Sequence, residues 1–335
     1  MRTRTSGTCC FVSRRSIQLL VILLASLAGP TSPAQTGQTD LRFRPAAGGG
    51  FQFDTGVLRG VLLASGNSVG EISLVSGGLT SLVHVPSGKP ISAKLGLFGY
   101  YRVFTSNHRY FPDAWSAPSQ AKLSADGSVE VHWSATDGRP FEMWAVYRWA
   151  AADTLDVETR VRPHADLTGF ESFLASYFAE QFNSSMVCVK KRTPVFVAAE
   201  ESNGKWQMFP RDEAAIRLIE DGRWEIPPNP PGWRIMQKLA KPLAIRRDLE
   251  SGITALVMAP PGDCIAVSTP QQTDAHHSLY LSLFGRNIKA GETARVRARL
   301  VIGTRIDDTE ALNLYKAYMD SLRKRRVTQR SAARP

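Results

Sequence analysis

Short runs in which apolar and polar residues alternate make up most of the chain between residues 51 and 303. In one run Leu155, Val157 and Val161 alternate with charged residues, which is typical of a strand with one buried and one wet face. Similar alternation occurs at 129–133, 141–149, 279–283 and 296–302, and Asp-Gly turn pairs begin at positions 126, 137 and 221. Because most links are too short to carry crossover helices, we predict an all-β fold, a large antiparallel β-sandwich.

Two segments depart from simple alternation. The stretch 170–178 fits the period of a helix and the period of a strand, so periodicity alone leaves both structures open. Near the C terminus one helical face collects the apolar side chains Leu312, Tyr315, Met319 and Leu322. Asp307 and Glu310 have the spacing of a capping box in front of them. The sequence therefore predicts one C-terminal helix that closes the domain.

The first 34 residues have the pattern of a signal peptide. Arginines at 2, 4, 14 and 15 precede an apolar run over 17–28, which is shorter than the ~20 apolar residues that span a bilayer. Ser32 and Ala34 are small residues at the −3 and −1 positions of a cut after Ala34. We expect a secreted or periplasmic protein with no stable membrane insertion after signal cleavage; an uncleaved membrane anchor is the alternative.

The rest of the chain divides into three parts by composition. Residues 35–50 are polar and glycine-rich, and we expect a flexible linker there. Residues 51–322 form the β-sandwich domain, and 323–335 form a basic tail that we expect to be disordered. The net charge of the whole chain is +11, but without the signal segment and the tail it is only +1. A nearly neutral body has no electrostatic footprint for nucleic acid.

Cys188 and Cys264 are the cysteines that remain after signal cleavage. A disulfide between them and two buried free thiols are both open. The sequence has no Cys-x-x-Cys pair, nucleophile elbow, P-loop or His-Glu-x-x-His motif. We therefore predict neither a metal site nor a cofactor.

Three stretches taken together point to a known family. They are 155–161 followed by 170–178, then 277–285, and then 288–302 with its Ala290-Gly-Glu-Thr293 turn. This combination resembles the galactose-mutarotase-like, or supersandwich, carbohydrate-binding domains over about residues 51–322. The resemblance implies a carbohydrate ligand and a strand over 170–178 that faces the sugar cleft. Epimerases of this family use a histidine acid and a glutamate base, and this sequence offers no matching pair.

The densest group of polar and aromatic residues lies between positions 100 and 115. A sugar has apolar ring faces and hydroxyl edges, so its site needs flat aromatic side chains and fixed polar groups. Tyr110 and Trp115 are the candidate platforms. The candidate partners of the hydroxyls are Asn107, His108, Arg109 and Asp113. His108 is also a candidate for proton transfer; the alternative is a loop that covers the end of the sandwich and pairs locally.

Four further residues complete the candidate site. Glu171, flanked by aromatic residues, is a candidate proton donor, against the alternative of an ion-paired structural role. Of the adjacent His276 and His277, which point to opposite faces if they lie on a strand, we expect one to face the cleft and choose His277. The proline-rich run 227–231 predicts a stiff loop that holds Trp233 and Arg234 at the rim.

These observations indicate a secreted carbohydrate-binding β-sandwich protein. Acid/base chemistry on saccharides, of the epimerase, lyase or glycosidase kind, is one possible extension. A non-catalytic envelope or surface module for structure or interaction is the alternative. The sequence leaves open whether the protein is an enzyme.

Overall fold

The computed structural model describes residues 40–47, 49–64, 77–110 and 117–332, with side chains up to residue 325. The predicted signal peptide over 1–34 lies outside the described residues, as do Asp113 and Trp115. Within the described residues the chain forms two β-sheets and two α-helices.

The strands and helices follow one another along the chain. The first strands are β1 (Arg44–Pro45), β2 (Phe51–Asp54), β3 (Leu58–Leu63), β4 (Gly78–His84), β5 (Lys89–Pro90), β6 (Ser92–Thr105), β7 (His108–Arg109), β8 (Gln120–Leu123), β9 (Val129–Trp133), β10 (Phe141–Ala151) and β11 (Thr154–Pro163). The later strands are β12 (Leu167–Phe178), β13 (Ser184–Lys190), β14 (Pro194–Ala198), β15 (Trp206–Pro210), β16 (Arg234–Ile235), β17 (Leu239–Arg247), β18 (Ile253–Met258), β19 (Cys264–Pro270), β20 (Ser278–Ile288) and β21 (Ala294–Thr304). The helices are α1 (Glu213–Ile219) and α2 (Asp308–Ala332).

The described strands pair into a larger and a smaller sheet. The larger sheet has 12 strands in the order β1-β2-β3-β4-β6-β12-β20-β19-β15-β16, with β5 on β4 and β7 on β6. The smaller sheet has nine strands in the order β14-β13-β17-β18-β21-β11-β10-β9-β8. The two-residue pairing of β15 with β16 is parallel, and the longer pairings are antiparallel. The predicted antiparallel β-sandwich is confirmed.

The main hydrophobic core lies between the two sheets. On β11, Leu155, Val157 and Val161 are buried in this core, as the alternation predicts. On the outer face of the same strand, Asp156 and Glu158 form ion pairs with arginines of β21 at 2.6 and 2.9 Å. A period of two thus places every second residue in the core.

β12 shows why the stretch 170–178 was ambiguous. It is a strand in the middle of the larger sheet, between β6 and β20. Its side chains are buried on both faces from Gly169 to Phe178, with Phe170 and Leu174 in the main core and Phe173 and Tyr177 on the opposite face. A strand covered on both sides has no wet face, so its sequence loses the alternation of polar residues.

Each sheet also buries part of its outer face. On the smaller sheet, α2 packs Ala311, Tyr315, Tyr318 and Leu322 against the strands, and Asp307 Oδ1 accepts a hydrogen bond from the Glu310 N–H at 2.8 Å. The predicted C-terminal helix is confirmed. The shorter α1 was not predicted; Asp212 caps it by accepting from the Ala215 N–H at 2.9 Å. In the described residues, neither helix is both long and apolar enough to cross a membrane.

The ordered structure reaches into both segments that we expected to be irregular. Phe43, within the expected linker, is 1% exposed because its ring packs against Phe53 and Trp149, with centroids 5.5 and 6.0 Å away. At the other end, α2 continues to Ala332, into the expected tail. An apolar anchor and the continuing backbone hydrogen bonds of a helix extend the fold beyond residues 51–322.

Cys188 and Cys264 are free thiols. Cys188 belongs to the cluster between the smaller sheet and α2, whereas Cys264 lies in the main core. Both are buried, and burial raises the pKa of Cys188 to about 11. Of the two open alternatives, the structure has the buried thiols.

Phe170 lies at the centre of the core, and its ring contacts the rings of Phe141 and Phe284 at centroid distances of 5.2 Å. Phe170→Ala leaves a cavity there, so we expect a loss of about 3–5 kcal/mol of unfolding free energy, measured by urea denaturation. Leu249, which is 70% exposed, provides the control: Leu249→Ala should change stability by no more than about 0.5 kcal/mol. Equal losses in the two variants would contradict this account of the core.

Candidate functional site: an aromatic hollow on the larger sheet

A hollow with a volume of about 380 Å³ lies on the outer face of the larger sheet. Its floor comes from β6, β12 and β20, and its walls come from β15, the segment before β20 and the loop 224–233. Three of the seven tryptophans of the chain line it. The aromatic side chains in the lining are Tyr101, Phe173, Tyr177, Trp206, Trp224, Trp233 and Tyr280.

Strand geometry points these side chains outward. On β20, Tyr280 lies on the hollow side while Leu279 and Leu281 face the main core. On β6, the register with β12 shifts between the pairs Phe173↔Arg102 and Leu174↔Tyr100. A β-bulge of this kind breaks the alternation. As a result, the consecutive side chains Tyr101 and Arg102 both line the hollow.

The aromatic rings of the hollow meet mostly edge to face. The Trp233 ring is 5.7 Å from Trp206 at 76° and 5.5 Å from Trp224 at 83°. Phe173 and Tyr280 stack at 4.8 Å and 19° on the floor. Trp206 and Trp233 are only half-buried, so parts of their rings remain available to a ligand.

Two arginines of the larger sheet hold the proline-rich loop over the hollow. Arg109 of β7 donates to the carbonyl oxygens of Ile226 and Pro228 at 3.3 and 2.5 Å. Arg102 of β6 donates from Nη2 to the Asn229 carbonyl at 2.5 Å. These bonds satisfy carbonyl groups that a strand ladder would otherwise pair, so an irregular loop keeps a fixed position. Trp233 is carried by this loop.

A buried ion-pair network anchors the start of the same loop. Arg223 donates to Glu171 Oε2 at 2.9 Å, to Asp221 Oδ2 at 2.7 Å and to the Gly169 carbonyl at 2.9 Å. The side chains of Arg223 and Glu171 are 0% exposed. Gly169 has a φ of +59°, and a Cβ there would lie 2.9 Å from Arg223 Nη2. Glycine therefore gives the guanidinium room to approach the backbone.

Glu171 is a structural partner of Arg223 and does not line the hollow. Burial raises the pKa of its carboxyl, and the charge of Arg223 acts in the opposite direction. The sequence makes Glu171 a candidate proton donor because aromatic residues flank it, and those residues do bury it. They bury it completely, however, so the geometry gives it no contact with a ligand in the hollow.

The predicted residues between 107 and 110 also lie away from the hollow. His108 and Asn107 are exposed at the turn between β6 and β7. The His108 ring packs against Tyr110, whose ring in turn packs on Phe141 in the main core at 5.0 Å. Tyr110 is therefore a core residue rather than a sugar platform, and Arg109 holds the loop instead of a hydroxyl.

Of the adjacent histidines, His276 lines the hollow and His277 does not. Both precede β20 and lie in a turn, so strand alternation does not set their directions. His276 Nδ1 is 2.6 Å from Asp274 Oδ1, and its ring is 5.0 Å from that of Trp206. His277 has a φ of +42° and is half-buried. Of the two, the residue that we did not choose is therefore the one placed at the hollow.

The two residues predicted for the rim are placed differently. Trp233 lines the hollow, while the neighbouring Arg234 is exposed on β16 outside the lining. Sequence reasoning missed Arg102, Phe173 and Tyr280, although Arg102 lies inside the segment 100–115 that it singled out. In the part of the chain that the structure describes, no group of three or more His, Cys, Asp or Glu residues is arranged to hold a metal ion.

A chain of hydroxyl groups runs along the floor. Ser278 Oγ donates to Tyr280 Oη at 2.7 Å, and Tyr280 Oη donates to Tyr177 Oη at 3.5 Å. Burial raises the pKa of Tyr280 to about 12 and that of Tyr177 well above its ordinary value. Both phenols therefore stay protonated at neutral pH and can act as hydrogen-bond donors.

Several solved structures are similar to this chain in fold. An α-N-acetylgalactosaminidase from Bifidobacterium bifidum, in its Gal-NHAc-DNJ complex, matches with a TM-score of 0.50 and 10% identity over 81% of this chain and 38% of that one. A putative aldose 1-epimerase from Escherichia coli K12 matches with a TM-score of 0.42 and 11% identity over 76% and 98% of the two chains. A galactose mutarotase related enzyme from Lactobacillus acidophilus matches with a TM-score of 0.44 and 8% identity over 77% and 98%.

These likenesses concern the fold alone, since all identities are far below 25%. The sandwich has the galactose-mutarotase-like fold that the sequence resemblance implied. No family model matches the chain, and no curated protein matches it by sequence.

Replacing only one partner of the Arg223–Glu171 ion pair should strongly lower the unfolding free energy. Arg223→Met leaves the buried Glu171 carboxyl without its partner, and we expect a loss of about 3–5 kcal/mol of unfolding free energy. Lys289→Met, which breaks the exposed pair with Asp166, should cost at most about 1 kcal/mol. In the double variant Glu171→Leu/Arg223→Met part of the loss should return, because no unpaired charge is buried; a loss equal to the sum of the single variants would contradict this account.

His277 should contribute to a loss of stability in acid. Burial, followed by the charge of Arg246, lowers the pKa of His277 below its ordinary value of 6.5. The unfolded chain keeps the ordinary pKa, whereas the folded protein has the lower one. At a pH between the two values, the unfolded chain binds a proton at His277 that the folded protein does not. The unfolding free energy therefore decreases as the pH falls through about 6.5. His277→Asn, which tolerates the positive φ, should show a shallower decrease between about pH 8 and pH 5 in urea titrations. Identical pH dependence in the two proteins would refute the contribution.

Proposed function

We propose that this protein binds carbohydrate in the aromatic hollow and that it does so after export, as the N-terminal pattern over 1–34 predicts. One observation carries the proposal. The half-buried faces of Trp206 and Trp233 stand beside fixed hydrogen-bonding groups, including the Arg102 guanidinium and the Tyr177 and Tyr280 hydroxyls.

This combination suits a saccharide better than an apolar ligand. The apolar face of a sugar ring packs on an indole, while its hydroxyl edge needs donors and acceptors held in place. The loop that carries Trp233 is fixed by Arg102 and Arg109. A fixed loop lowers the ordering cost of binding, which supports affinity in a shallow site.

A binding role is better supported than the acid/base chemistry we considered. None of His108, Glu171 and His277 lines the hollow, and its described lining contains no Asp or Glu. Glycoside hydrolysis ordinarily uses two carboxyl groups across the scissile bond. The fold neighbours carry names of sugar-acting proteins, an epimerase and a glycosidase, and the proposal rests on the hollow rather than on those names.

One observation favours a second candidate, proton transfer on the bound sugar. His276 lines the hollow and is held by Asp274 at 2.6 Å, the arrangement that orients an imidazole for acid/base work. Incubating the protein with oligosaccharides and following anomeric signals and new double bonds by NMR tests it. Turnover that disappears in His276→Asn would establish this candidate.

Binding should depend on the tryptophan faces. Trp233→Ala should weaken binding of a glycan found on a glycan array by at least about tenfold, about 1.4 kcal/mol, measured by calorimetry. Trp144→Ala is the matched control, because Trp144 is a half-buried tryptophan on the outer face of the smaller sheet, stacked on His132 at 4.8 Å. Absence of any glycan ligand, or equal effects of the two substitutions, would overturn the proposal.

A further inference from the structure

Arg102 is a buried cation without an anionic partner. Its side chain lines the hollow although the residue is only 2% exposed. Nη2 donates to the Asn229 carbonyl at 2.5 Å and to Tyr101 Oη at 3.0 Å. In the described part of the chain, Nε and Nη1 have no hydrogen-bond partner and no carboxylate forms an ion pair with the guanidinium.

The surroundings of Arg102 compensate its charge only in part. The guanidinium carbon lies 4.6 Å from the centroid of the Tyr101 ring and 5.4 Å from that of Trp224. Such cation–π contacts hold the group in place but provide no acceptor for its N–H groups. A buried charge is normally paired, because leaving it unpaired costs desolvation energy that nothing returns.

Arg223, a second buried arginine, does have acidic partners. Its guanidinium donates hydrogen bonds to Glu171, Asp221 and the Gly169 carbonyl. Both arginines lie on the outer side of the larger sheet. Arg223 pairs with carboxylates there, whereas Arg102, which lines the hollow, has no carboxylate partner among the described residues. An acidic group on a ligand in the hollow would complete the pairing that Arg102 lacks, because a guanidinium binds carboxylate and sulfate oxygens well.

Two indole N–H groups of the hollow are in the same condition. Trp224 Nε1 and Trp233 Nε1 are buried and have no hydrogen-bond partner among the described residues. The described lining therefore combines several unused donors and a positive charge with no Asp or Glu. It matches a ligand that is rich in acceptors and negatively charged.

We propose that the hollow takes an acidic saccharide, one whose rings carry carboxylate or sulfate groups, and that Arg102 binds the acidic group. The inference rests on the proposed carbohydrate-binding function and names its ligand class. The aromatic rings pack against the apolar face of the sugar, while Arg102 and the indole N–H groups donate hydrogen bonds to the anionic oxygens.

The test uses matched trisaccharides of glucose, galactose and mannose, each as the neutral sugar, the uronate, the uronate methyl ester and the sulfate ester. We expect calorimetry to detect the uronate or the sulfate ester of one series at an affinity about 10- to 100-fold above its neutral counterpart, since a hydrogen bond to a charged group is worth about 1.5–3 kcal/mol. Preference for the uronate or for the sulfate ester distinguishes the two sources of charge. For a uronate, methyl esterification should remove the gain with the unaltered protein.

Variants of Arg102 provide the second arm. Arg102→Met should abolish the preference for the acidic sugar, and Arg102→Lys should retain part of it. Arg160→Met is the matched control, because Arg160 lies 5.9 Å from the Trp144 ring on the smaller sheet. Thermal unfolding of each variant shows whether it is folded. If Arg102→Met does not fold, the comparison of the uronate with its methyl ester in the unaltered protein still tests whether the hollow recognises the acidic group.

The outcomes separate the two proposals. Equal binding of neutral and acidic sugars, still dependent on Trp233, would overturn the acidic-saccharide inference and leave the carbohydrate-binding function standing. No binding of any member of the panel, or binding that is insensitive to Trp233→Ala, would overturn both. Acid-selective binding that is unchanged in folded Arg102→Met would refute the role of Arg102.

Discussion

The Arg223 guanidinium joins the central strand of the larger sheet to the loop that forms the hollow. It is fully buried, and its donors reach Glu171 and Gly169 on β12 and Asp221 at the start of the loop. A buried ion pair of this kind adds little net stability compared with apolar packing, but separating its partners would leave uncompensated buried charges, which keeps the strand and the loop together. The neighbouring Trp224 is thereby held against Phe104 and Phe173, 4.8 Å from each ring.

Two further arginines attach the loop to the larger sheet by hydrogen bonds. Arg109 and Arg102 bind three of its carbonyl groups, from Ile226 to Asn229. Proline has no N–H and fits no strand ladder, so this segment depends on side chains for its hydrogen bonds. The loop is in effect fastened to the sheet by guanidinium groups, and Trp233 takes its position from them. Arg102 has two donors, Nε and Nη1, that the described protein does not use.

The two outer faces of the sandwich differ in what covers them. On the smaller sheet, α2 covers an apolar patch, and the remaining surface carries cross-strand ion pairs such as Asp156–Arg299. On the larger sheet, aromatic residues and the proline-rich loop leave a hollow instead of a closed layer. The same sandwich therefore has one outer face covered by a helix and ion pairs and one outer face that carries a hollow.

The sequence by itself determined the fold class, the strands with one wet face, the C-terminal helix and the loop that carries Trp233, because each depends on local periodicity or on proline chemistry. The tertiary structure decided which polar residues share a site. Glu171 met Arg223 across 52 positions of the chain, and Tyr110 turned into the core. A bulge in β6 placed Arg102 in the hollow beside Tyr101, against strict alternation. Such placements depend on sheet register and long-range pairing, which a local pattern of residues does not encode.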